Sequence, residues 1–145
     1  HRQGDINFED INWTDRKYAT GKTYGDSKIA NLYFAYELAR KLKGEPNAPT
    51  VTAAHPGWTS TELQRHSFMF RVLNPIFSQN VENGTLPTLR AATDNDAKSG
   101  DFFGPSGWME TKGSPVVVES NELSYNESKA KQLWDISEEL TGVKY

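Results

Sequence analysis

From Thr23 to Leu42 apolar side chains return every three or four residues. Ile29, Leu32, Tyr33, Tyr36 and Ala39 fall on one stripe, and Lys41, Lys43 and Gly44 close the segment. This period predicts an amphipathic helix with a basic last turn. Pro46 and Pro49 break the chain after it. Thr50 to His55 is then a short, β-branched run that stops at Pro56-Gly57, the pattern of a buried strand ending in a turn. Thr59 with Glu62 fits a capping box, and the apolar residues beyond it, among them Leu63, Phe68, Phe70 and Phe77, hold no single period, so short helices are predicted there. Residues 80–93 read as another helix through Val81, Leu86, Leu89, Ala91 and Ala92, with Pro87 assigned to its first turn. The segment 100–105 predicts a short strand between glycines, and 115–118 another extended piece. Ser124 and Glu127 suggest the start of a last helix whose buried face is Ala130, Leu133, Trp134, Ser137 and Leu140, with Gly142 as its stop. Ahead of all this, residues 1–22 are an irregular approach in which Ile6, Phe8 and Ile11 alternate with polar positions, as if the chain were entered midway. A truncated chain is the expectation.

Helix, strand, helix, strand, helix is the order of an α/β protein with a parallel sheet. No repeat or low-complexity tract interrupts it, and one structural unit is expected over residues 1–145. A chain of 145 residues with seven Phe, six Tyr and four Trp can bury a core. The formal net charge of −3 and the lack of a long basic run argue against nucleic acid as a partner. There is no cysteine, which excludes disulfides, thiolate metal sites and thiol nucleophiles, and is compatible with the cytoplasmic location we expect. No stretch approaches the ~18 consecutive apolar residues of a membrane span. His55 and His66 do not make a histidine pair at ligand spacing, so no metal is expected, and His55 reads as a strand-end packing residue.

The candidate chemistry lies in Tyr24-Gly25-Asp26-Ser27-Lys28. Phenol and ammonium four residues apart at a helix start share a face and can meet one ligand. A free tyrosine, with a pKa of about 10, is a poor proton donor or acceptor near neutrality, and a neighbouring cation favours its anion. The spacing alone is unspecific, since chance supplies such a pair in roughly one chain in three of this composition. A solvated Tyr and Lys on a surface turn is the plain alternative.

Tyr24-Gly25-Asp26-Ser27-Lys28-Ile29-Ala30-Asn31 resembles the active-site helix of the short-chain dehydrogenases/reductases. About 27 residues on, His55-Pro56-Gly57-Trp58-Thr59-Ser60-Thr61 resembles that family's strand-ending Pro-Gly segment and the threonine after it. The resemblance runs on through Phe102-Phe103-Gly104-Pro105 and the final helix. The lead-in at 5–10 and the ending at 133–142 are nearest to its retinol-dehydrogenase-like branch. It implies an NAD(P)-dependent oxidoreductase acting on an alcohol and its carbonyl, with Tyr24 as proton donor or base and also among the cofactor-binding residues. Lys28 would bind the nicotinamide ribose and favour the phenolate. Pro56 and Gly57 would turn past the nicotinamide, the Thr59 backbone would face the carboxamide, and the Thr61 hydroxyl would reach a phosphate or the carboxamide. A plain helix cap is the other reading of Thr61. Phe68, Phe70 and Phe77 fit either a lipophilic substrate pocket or ordinary core.

The family's Gly-rich phosphate turn, Asn-Asn-Ala-Gly segment, catalytic Ser and helical Asn are not found ahead of Tyr24. The expected fold is therefore the C-terminal part of a Rossmann-type doubly wound parallel sheet, with the N-terminal dinucleotide-binding half absent. The chain would be the C-terminal catalytic and substrate portion of one domain, using NADP or NAD in the intact parent and inactive alone. The branch resemblance inclines the choice to NADP. Orphaned apolar surface would make it self-associate or pack on the missing half. A stand-alone binding or interaction module built on the same fold is the alternative.

Overall fold

The computed structural model describes residues 4–59 and 79–145. They form two compact units, one within residues 4–51 and 120–145, the other within 52–59 and 79–119.

The first unit is built on helix α1, Thr20–Lys41. The periodicity placed it well: Ile29, Leu32, Tyr33 and Tyr36 are all buried. Its partner is helix α3, Glu127–Thr141, which turns Ala130, Leu133 and Trp134 inward. Ile6 closes the core formed by Ile29, Tyr33, Ala130 and Leu133. Outside that core Phe34 stacks on Trp134 at 5.2 Å. The start of α3 differs from the sequence expectation. Asn126 is the cap, its side chain accepting from the Lys129 N–H, while Ser124 sits buried in a preceding 3₁₀ turn, Glu122–Tyr125. Ser124 is held there by Ser120 and by the Asn121 carbonyl, so its hydroxyl has no role at a helix end. Gly142, in the left-handed region at φ +70, ends the helix as expected. Leu140 is not on the buried face: it is 63% exposed in the last turn.

The second unit holds a three-stranded sheet in the order β1-β2-β3, with β1 Ala53–Ala54, β2 Phe102–Pro105 and β3 Pro115–Val117. β1 and β2 run parallel and β2 and β3 antiparallel, so the all-parallel expectation holds for one pair only. The physical reason is the short connection 106–114. A parallel crossover needs a dozen or more residues, whereas here Ser106 N–H bonds the Ser114 carbonyl and Gly107 N–H that of Lys112, which makes a hairpin. β1 is shorter than the predicted 50–55 because its partner is short: Gly100, at φ +96, turns the chain just before β2. Helix α2, Val81–Thr93, packs beside all three strands. It begins on Asn80, whose side chain accepts from Asn83 N–H. Pro87 lies in its interior, not in its first turn. It is fully buried, so its ring fills core space where an interior helix N–H is given up. No described helix is long and apolar enough to cross a membrane.

Candidate active site

The inward stripe of α1 decides what faces outward. Gly25, Asp26 and Ile29 turn into the first unit, and this leaves Tyr24 exposed at 56%, with Lys28 exposed one turn later. The Lys28 ammonium stands 5.1 Å from the centre of the Tyr24 ring. The pair predicted from spacing is thus brought together on one accessible helix face. Such a cation over an exposed ring contributes about 0.5–1 kcal/mol.

The other nearby cation of the helix is engaged elsewhere. Lys22 bonds the Asp5 carbonyl at 2.5 Å and pairs with the buried Asp26 carboxylate, which also accepts from the Asp5 N–H at 3.0 Å. The second oxygen of Asp26 and the hydroxyl of Tyr33 are buried with no hydrogen-bond partner among the described residues. Burial, with the charge of Asp5, raises the Tyr33 pKa above its ordinary value.

The approach to α1 is fastened by Asp10. Desolvation of its carboxyl works against ionisation, but it accepts from the Thr14 N–H and hydroxyl, from Arg16 and from the Asp15 N–H, and together these hold its pKa below the usual value. Arg16 also lies 3.9 Å over the Trp13 ring. A cavity of about 150 Å³ lined by Ile6, Ile11, Trp13, Thr23 and Ala30 lies between this segment and the helices. It is well below the ~300–1,000 Å³ of a ligand pocket, and neither Tyr24 nor Lys28 lines it.

In the second unit β1 runs into His55-Pro56-Gly57-Trp58-Thr59. Gly57 is required as glycine, because its φ is +66 and a Cβ there would meet the Thr111 carbonyl oxygen at 2.6 Å and that of Glu110 at 2.9 Å. Thr59 is buried, and its hydroxyl donates to the Pro56 carbonyl at 2.9 Å. Glu62, the other half of the expected capping box, lies outside the described residues, as do Thr61, His66, Phe68, Phe70 and Phe77.

One residue of this turn escaped the sequence reading. Gln79 is buried, and its amide donates to the Pro56 carbonyl at 2.7 Å while its backbone N–H donates to Trp58. Its residues 79 and 59 also form an isolated parallel bridge. Nothing in a lone Gln between an unperiodic apolar run and a helix signals such a bond. His55 is likewise more than a packing residue: its ring lies 5.1 Å from Phe102, but both its nitrogens are hydrogen-bonded. Among the described residues no group of three or more His, Asp or Glu could hold a metal ion.

No family model matches the chain. It is 34% identical over 155 residues to retinol dehydrogenase 13 of Homo sapiens, covering 99% of this chain and 44% of that protein. With retinol dehydrogenase 14 of Homo sapiens it shares 33% over 152 residues, 99% of this chain and 42% of the other. With retinol dehydrogenase 12 of Bos taurus it shares 34% over 150 residues, 100% and 44%. A crystal structure of an uncharacterised protein from Mycobacterium paratuberculosis superposes with a TM-score of 0.76 at 32% identity, over 98% of this chain and 47% of the other. The chain thus spans less than half the length of the relatives it matches, and its α/β sheet is part of a Rossmann-type fold. Along essentially its whole length the chain is homologous to retinol dehydrogenases of the short-chain dehydrogenase/reductase family.

Proposed function

We propose that these 145 residues are the C-terminal catalytic portion of one dehydrogenase domain in a full-length NAD(P)-dependent oxidoreductase. It interconverts an alcohol and its carbonyl. The observation that carries this reading is the Tyr24–Lys28 pair: a phenol and an ammonium one turn apart, both exposed, with the ammonium 5.1 Å from the ring.

The donor set fits the nicotinamide end of a dinucleotide. Lys28 offers an ammonium to ribose hydroxyls, and Tyr24 keeps its hydroxyl open to a substrate oxygen. When bound, the cofactor supplies or takes the hydride. Tyr24 gives its phenolic proton to the substrate oxygen in reduction and takes one back in oxidation, and general acid/base help of this kind is worth ~10²–10⁴-fold. Lys28 orients the ribose and offsets negative charge at the phenolate. By the branch resemblance Pro56, Gly57 and the Thr59 backbone would hold the carboxamide side, with Thr61 as a further expected cofactor residue. NADP is the cofactor favoured by the branch resemblance, and the retinol dehydrogenase relatives suggest a lipophilic alcohol or aldehyde as substrate.

The test is to titrate the full-length protein with NADPH and NADH and then to screen aliphatic and polyene aldehydes, following the absorbance of the reduced nicotinamide. Micromolar cofactor binding with carbonyl-dependent oxidation supports the reading, and no binding of either cofactor contradicts it. The isolated 145-residue chain is expected to behave differently. β1 lies at the edge of its sheet and Val81, Leu89 and Trp108 are exposed apolar side chains, so it should self-associate and bind neither cofactor measurably. Size exclusion with light scattering and the same titration check this: a stable monomer binding NADP at micromolar concentration would refute it.

A further inference from the structure

Two turns of the second unit meet at His55. The residue follows β1, and its backbone N–H still belongs to the sheet, donating to the Phe103 carbonyl at 2.9 Å. Its ring works beyond the sheet. Nδ1 accepts from the Gly57 N–H at 3.2 Å, and Nε2 lies 2.9 Å from Oε2 of Glu110. A nitrogen that accepts cannot carry the proton, so the ring proton sits on Nε2 and is donated to the Glu110 carboxylate. The imidazole therefore links the Pro56-Gly57 turn to the Trp108–Glu110 turn.

Space is kept for this link. A Cβ on Gly104 would stand 2.2 Å from Nε2 of His55, so a side chain there would push the ring off Glu110. The backbone on the far side is held under strain for it as well. Met109 and Glu110 are consecutive non-glycine residues in the left-handed region, at φ +51 and +53. Such residues persist only where their surroundings over-determine them. Here Glu110 N–H bonds the Gly107 carbonyl, the Thr111 hydroxyl bonds that of Trp108, and Trp58 N–H donates to Thr111 at 2.7 Å. The turn is pinned against Gly57 with the Glu110 carboxylate directed at His55.

We propose that His55 and Glu110 form a positioning pair that sets the conformation of the Pro56–Thr59 turn for cofactor binding. Neither residue touches reacting atoms. The carboxylate fixes the imidazole tautomer, and the tautomer leaves Nδ1 free to hold the Gly57 N–H, so that the backbone beyond Gly57 is preset before the cofactor arrives. Presetting a binding loop lowers the ordering cost of binding, and its loss should therefore appear in cofactor affinity.

The inference rests on reading the Pro56–Thr59 turn as a cofactor contact, and its test separates the two. In the full-length enzyme, Glu110→Leu should raise the KM for NAD(P)H by about 10-fold or more, as loss of a charge-assisted bond implies, with kcat within about threefold. Glu110→Gln, which keeps an acceptor for the Nε2 proton, should restore KM to within about threefold of normal. Glu110→Gly removes the carboxylate while relieving the positive φ, so it should fold with an unchanged or higher melting temperature and still show the raised KM. A merely structural role predicts the opposite, a normal KM in any variant that folds. Tyr24→Phe run alongside reports on the catalytic reading independently. If Tyr24→Phe abolishes turnover while Glu110→Leu and Glu110→Gly keep a normal cofactor KM, the positioning pair is overturned and the site assignment stands. If Tyr24→Phe turns over normally, the catalytic assignment of Tyr24 fails, while the positioning role stands or falls on the cofactor KM of the Glu110 variants.

Discussion

Gly84→Ala sets two well-known effects against each other at the candidate cofactor turn. Gly84 lies in α2 with an ordinary negative φ. By propensity alone alanine should stabilise the helix by about 1 kcal/mol. The structure opposes this. A Cβ at position 84 would stand 2.3 Å from Oγ1 of Thr59, 2.8 Å from its Cγ2 and 3.1 Å from its Cβ. Thr59 cannot yield easily, because it is buried and β-branched and its hydroxyl is committed to Pro56. Either the helix backs away, at the ~1–3 kcal/mol typical of overpacking, or Thr59 turns and loses a hydrogen bond worth about 1 kcal/mol. The unfavourable side wins, with a net loss of up to about 2 kcal/mol. Urea denaturation of the full-length enzyme should show the midpoint falling, and cofactor affinity should fall with it. The double variant Gly84→Ala/Thr59→Ala removes the obstructing atoms, so its two effects should not add, with a coupling of about 1 kcal/mol or more. If Gly84→Ala is as stable as the wild type, or more stable, helix α2 does not press on the Pro56–Thr59 turn and the reasoning is refuted.

Lys28→Met should raise the cofactor KM by about 10-fold or more and lower kcat as well, because it removes both the ribose contact and the charge beside the phenol. Lys28→Arg should rescue only partly, since a planar guanidinium does not reproduce a compact ammonium; steady-state kinetics with varied NADPH check both. Asp10, held below its ordinary pKa of 3.8, contributes stability that is complete above about pH 4 and lost as the pH falls through its lower folded-state value. Asp10→Asn should therefore lower the melting temperature at neutral pH, with the difference shrinking as the pH falls below the ordinary carboxylate value, as thermal melts at acid pH would show.

What could be read from the sequence was what repeats or stands in a short motif. α1 and the inward faces of both long helices, Leu140 apart, followed from period, the Gly57 turn from Pro-Gly after a β-branched run, and the Tyr24–Lys28 face from spacing of four. What could not be read depends on partners far along the chain. Tyr36 looked like one more apolar position of the stripe. Its hydroxyl in fact bonds Ser120 at 2.8 Å, its ring stacks on Tyr125 at 5.3 Å, and burial pushes its pKa up to about 12. Gln79 and Glu110 were passed over for the same reason: a hydrogen bond to Pro56 or His55 leaves no period. β3 was read as extended, but its direction depends on the hydrogen bonds of the 106–114 hairpin, which composition does not encode. Pro87 broke a local rule inside α2 because a fully buried ring outweighs the lost helix bond there.

The central claim is that Tyr24 moves the proton while the hydride is transferred. Its most direct measurement is single-turnover oxidation of NADPH by a carbonyl substrate in the full-length enzyme, comparing wild type with Tyr24→Phe. The exchange removes one hydroxyl from a ring that is already 56% exposed, so folding should be unchanged. The account predicts a fall of at least ~10² in the rate of hydride transfer. A Tyr24→Phe enzyme that oxidises NADPH at a near-normal rate would contradict it.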